Sequence, residues 1–214
     1  MSFPTNLTIL DRFNRANENP LDGGNWLGPL FLSVPPDLSL VLQSNAVITT
    51  SSSVTSESYW NTSSFGPNAE VWLTMTTCFT DQGVALYLAV VSPDTSGVDG
   101  YFVVAYIFSG VQHCEIYRID NNVTTMLGAS LLQTFNDGDK LGFEQIGDQL
   151  TAYLNTGSGW NSLMQRQDGT YNTGFIGMSI DRPGAVLDDF GGGTVLVNSL
   201  TAALGEPTIG SSVF

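Results

Sequence analysis

Alternation of apolar and polar residues with a period of two, interrupted by short Gly, Asp and Asn clusters, limits this chain more than any other feature. It is clearest at residues 139–160, Asp-Lys-Leu-Gly-Phe-Glu-Gln-Ile-Gly-Asp-Gln-Leu-Thr-Ala-Tyr-Leu-Asn-Thr-Gly-Ser-Gly-Trp. Leu141, Phe143 and Ile146 before the Gly147-Asp148 pair, and Leu150, Ala152 and Leu154 after it, predict a β-hairpin. Glycine takes the positive φ that a tight turn needs, and period-two apolar residues mark a half-buried strand. The same punctuation continues along the chain, and no stretch shows a helical period.

Strands are expected at residues 8–13, 38–43, 46–50, 69–80, 84–91, 101–108, 112–119, 123–128, 140–146, 149–155, 174–180 and 194–197. The breaks between them, such as Ser92-Pro93-Asp94 and Asp120-Asn121-Asn122, offer side-chain hydrogen bonds to the backbone or positive φ. About a dozen strands so spaced make a sandwich or a barrel, not a βαβ fold. In residues 69–80, Val71, Leu73 and Met75 share one face with Phe79, and a Thr-rich face lies opposite. Residues 101–108 are apolar on both faces, so a cover by a loop, a tail or a neighbouring chain is expected there. Residues 1–197 read as one domain. Gly191-Gly192-Gly193 reads as a hinge, and residues 198–214 read as an extended tail ending in Val213-Phe214.

Composition removes several function classes. The formal net charge is −14, from 20 acidic against 6 basic residues, and phosphate backbones and anionic membranes are disfavoured partners. No apolar run approaches membrane-spanning length, so no membrane insertion is expected. The opening Met-Ser-Phe-Pro-Thr-Asn-Leu-Thr has neither the basic nor the apolar part of a signal peptide, which points to synthesis in a cytoplasm. Cys78 and Cys114 fall in apolar strand candidates; buried free thiols and a cross-strand disulfide both remain open.

Asp11-Arg12-Phe13-Asn14-Arg15 followed by Asn25-Trp26 resembles the opening of concanavalin A-like (laminin G-like) jelly-roll domains. Residues 138–144 and 150–155 resemble their central hairpin, and residues 174–177 and 187–190 their closing strands. The resemblance spans residues 8–197. It implies an all-β, two-sheet antiparallel jelly-roll sandwich whose final strand returns beside the first. It leaves function open, because this architecture serves lectins, glycan-binding modules, glycosidases, receptor ectodomains and viral structural proteins.

The chemistry is sparse. Glycoside hydrolysis needs two facing carboxylates, and the enzymes of this fold carry them at alternate positions of one strand. Glu115 and Asp120 come nearest to that pattern but are five apart and point to opposite faces. No catalytic residue and no enzymatic activity are expected. His113 is the sole histidine and lies beside Cys114 on the opposite face, with no zinc-ligand spacing around it. Asp81, Asp94 and Asp99, or Asp22 with Asp188, could give loop oxygens to a structural calcium ion, a feature of relatives of this fold. No other cofactor is implied. Strand aromatics Tyr87, Phe102, Tyr106, Tyr117 and Tyr153, with Tyr59, Trp60 and Trp160 in loops, could stack on sugar rings or simply fill the core.

A lysine-poor, Ser/Thr/Asn-rich, acidic β-sandwich without a leader resembles the accessory proteins of bacteriophage virions: capsid decoration, head fibre or tail adhesin. The first expectation is therefore a non-catalytic virion-surface protein. Its partners would be a capsid or tail lattice or a homo-oligomer, with Val213 and Phe214 in the contact. The second is a lectin-like glycan-binding module acting outside the cell. A glycoside hydrolase is third.

Overall fold

The computed structural model describes residues 2–31 and 38–197. Within them the chain forms β1 (Ile9–Asp11), β2 (Trp26–Leu27), β3 (Leu38–Ser39), β4 (Val41–Gln43), β5 (Ala46–Ile48), β6 (Ser56–Trp60), β7 (Ala69–Thr77), β8 (Gly83–Val91) and β9 (Asp99–Phe108). There follow β10 (Val111–Asp120), β11 (Val123–Met126), β12 (Leu131–Leu132), β13 (Lys140–Ile146), β14 (Gln149–Asn155), β15 (Trp160–Gln167), β16 (Phe175–Ile180) and β17 (Val186–Thr194). The turns have local causes. Asn121 and Asn122 both hold positive φ between β10 and β11, as do Ser109 and Gly110 between β9 and β10. That is the combination whose twist matches a two-residue hairpin.

The strands assemble into two sheets. One has eight strands, ordered β15-β14-β13-β7-β17-β5-β4, with β1 also paired to β17. The other has nine, ordered β11-β10-β9-β8-β16-β6-β2, with β12 on β10 and β3 on β6. The first strand does lie beside the last, Ile9 opposite Gly191 and Asp11 opposite Phe190. Val71, Leu73, Met75, Leu141 and Phe143 from one sheet meet Leu86, Leu88, Val103, Ile116 and Met178 from the other in one buried core. This is the expected two-sheet jelly-roll sandwich. Cys78 and Cys114 are buried free thiols, and burial raises them to about 11 and about 12.

The opening motif closes one end of the core. The Asp11 carboxylate accepts the Phe13 N–H, the Arg15 guanidinium and the Trp26 indole N–H. It thereby seats Trp26 against Phe13, Trp60 and Phe190.

Three expectations change. The strand expected at residues 194–197 is instead the end of a longer one, β17, which stops at Thr194. Residues 191–193 are no hinge: they lie within β17, opposite Trp72, Val71 and Glu70. Glycine is required there because Gly192 and Gly193 hold φ of 148° and 152°, and a side chain on Gly191 would overlap the Trp72 indole. Tyr59, Trp60 and Trp160 are strand residues of β6 and β15, not loop residues. The tail, with Val213 and Phe214, lies outside the described residues.

Candidate functional site: a carboxylate-flanked aromatic cleft

The outer face of the nine-stranded sheet carries a cleft of about 370 Å³. Its floor follows from strand register. Glu57, Ser179, Ala85, Val104 and Glu115 stand in one line across β6, β16, β8, β9 and β10. The next line is Tyr59, Gly177, Tyr87, Phe102 and Tyr117. Small residues in mid-sheet and larger ones toward the sides leave a depression. The outward side chains of β9, Phe102, Val104 and Tyr106, form part of its lining, while Tyr101, Val103 and Ala105 point into the core. The apolar outer face of this strand therefore opens partly onto the cleft.

The polar groups are held firmly. Glu57 accepts the backbone N–H groups of Leu30 and Phe31 and the Tyr87 hydroxyl. Glu115 accepts the hydroxyls of Tyr106 at 2.7 Å and Tyr117 at 2.5 Å. Burial opposes ionisation of Glu115, but these two hydroxyls, with that of Ser130 and the nearby His113, outweigh it and hold the carboxyl below its ordinary range. Burial and the neighbouring Glu115 charge push Tyr106 up to about 12. The site thus presents an ionised acceptor fixed by neutral phenols. Phe102 and Tyr117 stack at 4.8 Å with planes 4° apart, giving a rigid aromatic wall, and Tyr87 leans on Phe102.

Of the aromatics singled out in the sequence, the fold gathers Tyr87, Phe102, Tyr106 and Tyr117 into this cleft and disperses the others. Tyr59 lies on the same outer face but packs on Phe175 and Leu30. Trp60 is in the inter-sheet core. Trp160 is on the other sheet, edge-on to Phe3, whose ring stacks on Tyr153. His113 bonds Ser130 and stacks on Tyr106. Glu57 carried no sequence signal, because its place opposite Ser179 in the cleft line comes from strand register.

A second carboxylate pair sits on the outer face of the eight-stranded sheet. Glu70 and Glu144 are directly opposed on β7 and β13. Glu70 accepts the N–H groups of Thr5 and Asn6, and Glu144 accepts the Tyr153 hydroxyl. Burial raises both above the ordinary carboxylate value. The N-terminal segment lies over Glu70, which is fully buried and fastens the chain's start to the sheet.

No protein-family model matches the sequence, and no curated protein matches it. Solved structures do match in fold. The Ca2+-bound exoplasmic/lumenal domain of VIP36 aligns with a TM-score of 0.59 at 13% identity, covering 90% of this chain and 91% of that one. A legume lectin-like domain from Entamoeba histolytica aligns with a TM-score of 0.55 at 11% identity, covering 75% and 89%. The carbohydrate-binding module CBM66 of Bacillus subtilis gives 0.53 at 16% identity, covering 67% and 84%. The chain has the concanavalin A-like jelly-roll fold. At these identities the likeness is one of fold.

The VIP36 domain was solved in a Ca2+-bound form, and this chain offers its own loop oxygens for comparison. Calcium takes six to eight oxygen ligands, several of them carboxylates. Asp81 is exposed between β7 and β8, and Asp94 is in the exposed turn after β8. Asp99 accepts the Asn121 N–H and the Tyr171 hydroxyl. Among the described residues no three His, Cys, Asp or Glu side chains form a metal-binding group. The donor set does not fit a calcium centre at these positions.

Proposed function

We propose that this protein is a non-catalytic glycan-binding module and that the cleft on its nine-stranded sheet is the saccharide site. One observation carries the reading. A rigid aromatic wall, Phe102 on Tyr117, stands beside a fixed ionised acceptor, Glu115. Sugar rings present an apolar face edged with hydroxyl donors, which such a pairing of surfaces complements. The solved lectin and carbohydrate-binding folds that align with this chain support the same class. The partners would be surface glycans. Catalysis is disfavoured by the lack of a free acid: the oxygens of Glu57 and Glu115 already accept hydrogen bonds, whereas a glycosidase acid must hold a proton for its substrate. The virion-surface expectation rests on composition alone, and no feature of the described fold favours it over glycan binding.

The test is calorimetric titration of the intact chain with a panel of oligosaccharides. Phe102→Ala should weaken binding about tenfold or more, as loss of a central aromatic contact does, while Trp160→Ala on the other sheet should not. Absence of binding to every saccharide, or equal loss in both variants, would exclude the cleft as a glycan site.

A further inference from the structure

We infer that the cleft recognises neutral saccharides, rejects anionic ones and needs no divalent cation; this rests on the glycan-binding reading above. Three carboxylates, Glu57, Glu115 and Asp181, line the cleft, and among the described residues no lysine or arginine does. The cations nearest in sequence already have partners, and Arg182 offsets the charge of the cleft-lining Asp181. Arg182 is turned onto Asp181 at 2.6 Å, and Arg118 is held by Asp120 and Asp168 at 2.7 Å each. Arg166 donates to the carbonyls of Leu127 and Ala129, and Lys140 lies over Trp72 on the opposite sheet. His113 stacks on Tyr106 but is not part of the lining.

A uronate, sialate or sulfate group entering this cleft meets the Glu115 carboxylate, while Arg182 at the cleft edge is already held by Asp181, and like charge without a spare cation is how a site discriminates by repulsion. A neutral sugar brings only hydroxyl donors and acceptors. An ionised carboxylate is acceptor-only, so Glu115 can take a hydroxyl hydrogen on a lone pair that Tyr106, Tyr117 and Ser130 leave free.

Cation independence follows from the same groups. Glu57 and Glu115 occupy opposite ends of a five-strand line, with backbones about 19 Å apart at the usual strand spacing. One ion, with ligands at about 2.3–2.6 Å, cannot be shared between them. Asp181 already accepts the Thr55 hydroxyl and the Arg182 guanidinium. This differs from the VIP36 domain, solved in a Ca2+/Man-bound form.

The experiment titrates the full chain with neutral oligosaccharides and with the same backbones carrying uronate carboxylates, each in excess EDTA and in millimolar calcium. The expected result is binding of the neutral series, unchanged by EDTA, with the uronate series about tenfold weaker or more. Thr124→Lys, which puts a cation at the cleft rim, should narrow that gap. Equal or tighter binding of the uronates overturns charge selection, and loss of binding in EDTA overturns cation independence; in both cases the glycan reading stands. Absence of binding to any saccharide removes the glycan reading and this inference together. If Glu115→Gln leaves the ratio of neutral to uronate affinity unchanged while Phe102→Ala abolishes binding, Glu115 is not the discriminating group.

Discussion

Single residues decide the integrity of both ends of this molecule. Asp11 satisfies three donors at once, two of them in the Phe13–Trp26 corner of the core. Asp11→Ala leaves the Trp26 indole N–H and the Arg15 charge without that partner and should destabilise the fold by about 2–3 kcal/mol, read from denaturant unfolding. Glu144 acts in the opposite sense. Its carboxyl and that of Glu70 are raised by burial, so the folded state binds their protons more tightly than the unfolded chain. Stability therefore falls as pH rises above the ordinary value of 4.5. Glu144→Gln, which keeps an acceptor for Tyr153 and removes a like charge opposite Glu70, should stabilise by about 0.2–1 kcal/mol at pH 7. The gain should vanish by pH 4, and a gain that is the same at both pH values would show that charge is not its cause. Asp168 has the usual carboxylate sign. Burial opposes its ionisation, but Thr170, Tyr101 and Arg118 hold it down at about 2. Its contribution is present above 3.8 and fades as pH falls toward 2.

Among the elements, the N-terminal segment depends on glycines more than its sequence suggests. The Phe3 ring rests over Gly142, where a side chain would overlap it, and stacks on Tyr153 at 4.0 Å. Gly142→Ala should displace Phe3 at a cost of about 1–3 kcal/mol, the range for forcing atoms into a packed site, and should alter Trp160 fluorescence. Deleting residues 1–13 removes β1 from β17 together with Phe13 from the core, and the exposed edge should aggregate in light scattering. The elements also show where sequence was informative. The β13–β14 hairpin and its turn were legible to the residue, because apolar and polar residues alternate on either side of Gly147-Asp148, although both faces of the two strands are largely buried. β6 was invisible, since Ser-Glu-Ser-Tyr-Trp is buried on both faces and shows no alternation. β15 was hidden by the polarity of an edge strand, and the part of β17 after Phe190 by its three glycines. Three tyrosines of the candidate site could be named from composition. Their grouping, and the place of Glu57, could not, because cross-strand register fixes both.

For the whole molecule, the core described within residues 2–197 draws on both sheets and is continuous. Removing residues 199–214 is therefore expected to change the melting temperature by less than about 2 °C, within the effect of a surface change. If the tail carries a subunit contact, as its apolar end suggests, the same truncation should lower the mass seen by light scattering. An unchanged mass would remove that idea.

The register line under the cleft has one more consequence. Thr55 and Asp181, bonded to each other at its edge, are 126 positions apart, and the strands between them must all have found their partners before the floor exists. No excised fragment can carry the recognition surface, and a partly folded chain has none. Contacts so distant in sequence also make folding slow. Any saccharide that binds the native cleft therefore acts as a reporter on the entire fold: by mass action it should raise the single melting transition of the whole sandwich, by about 2.7 kcal/mol at a hundred times its Kd.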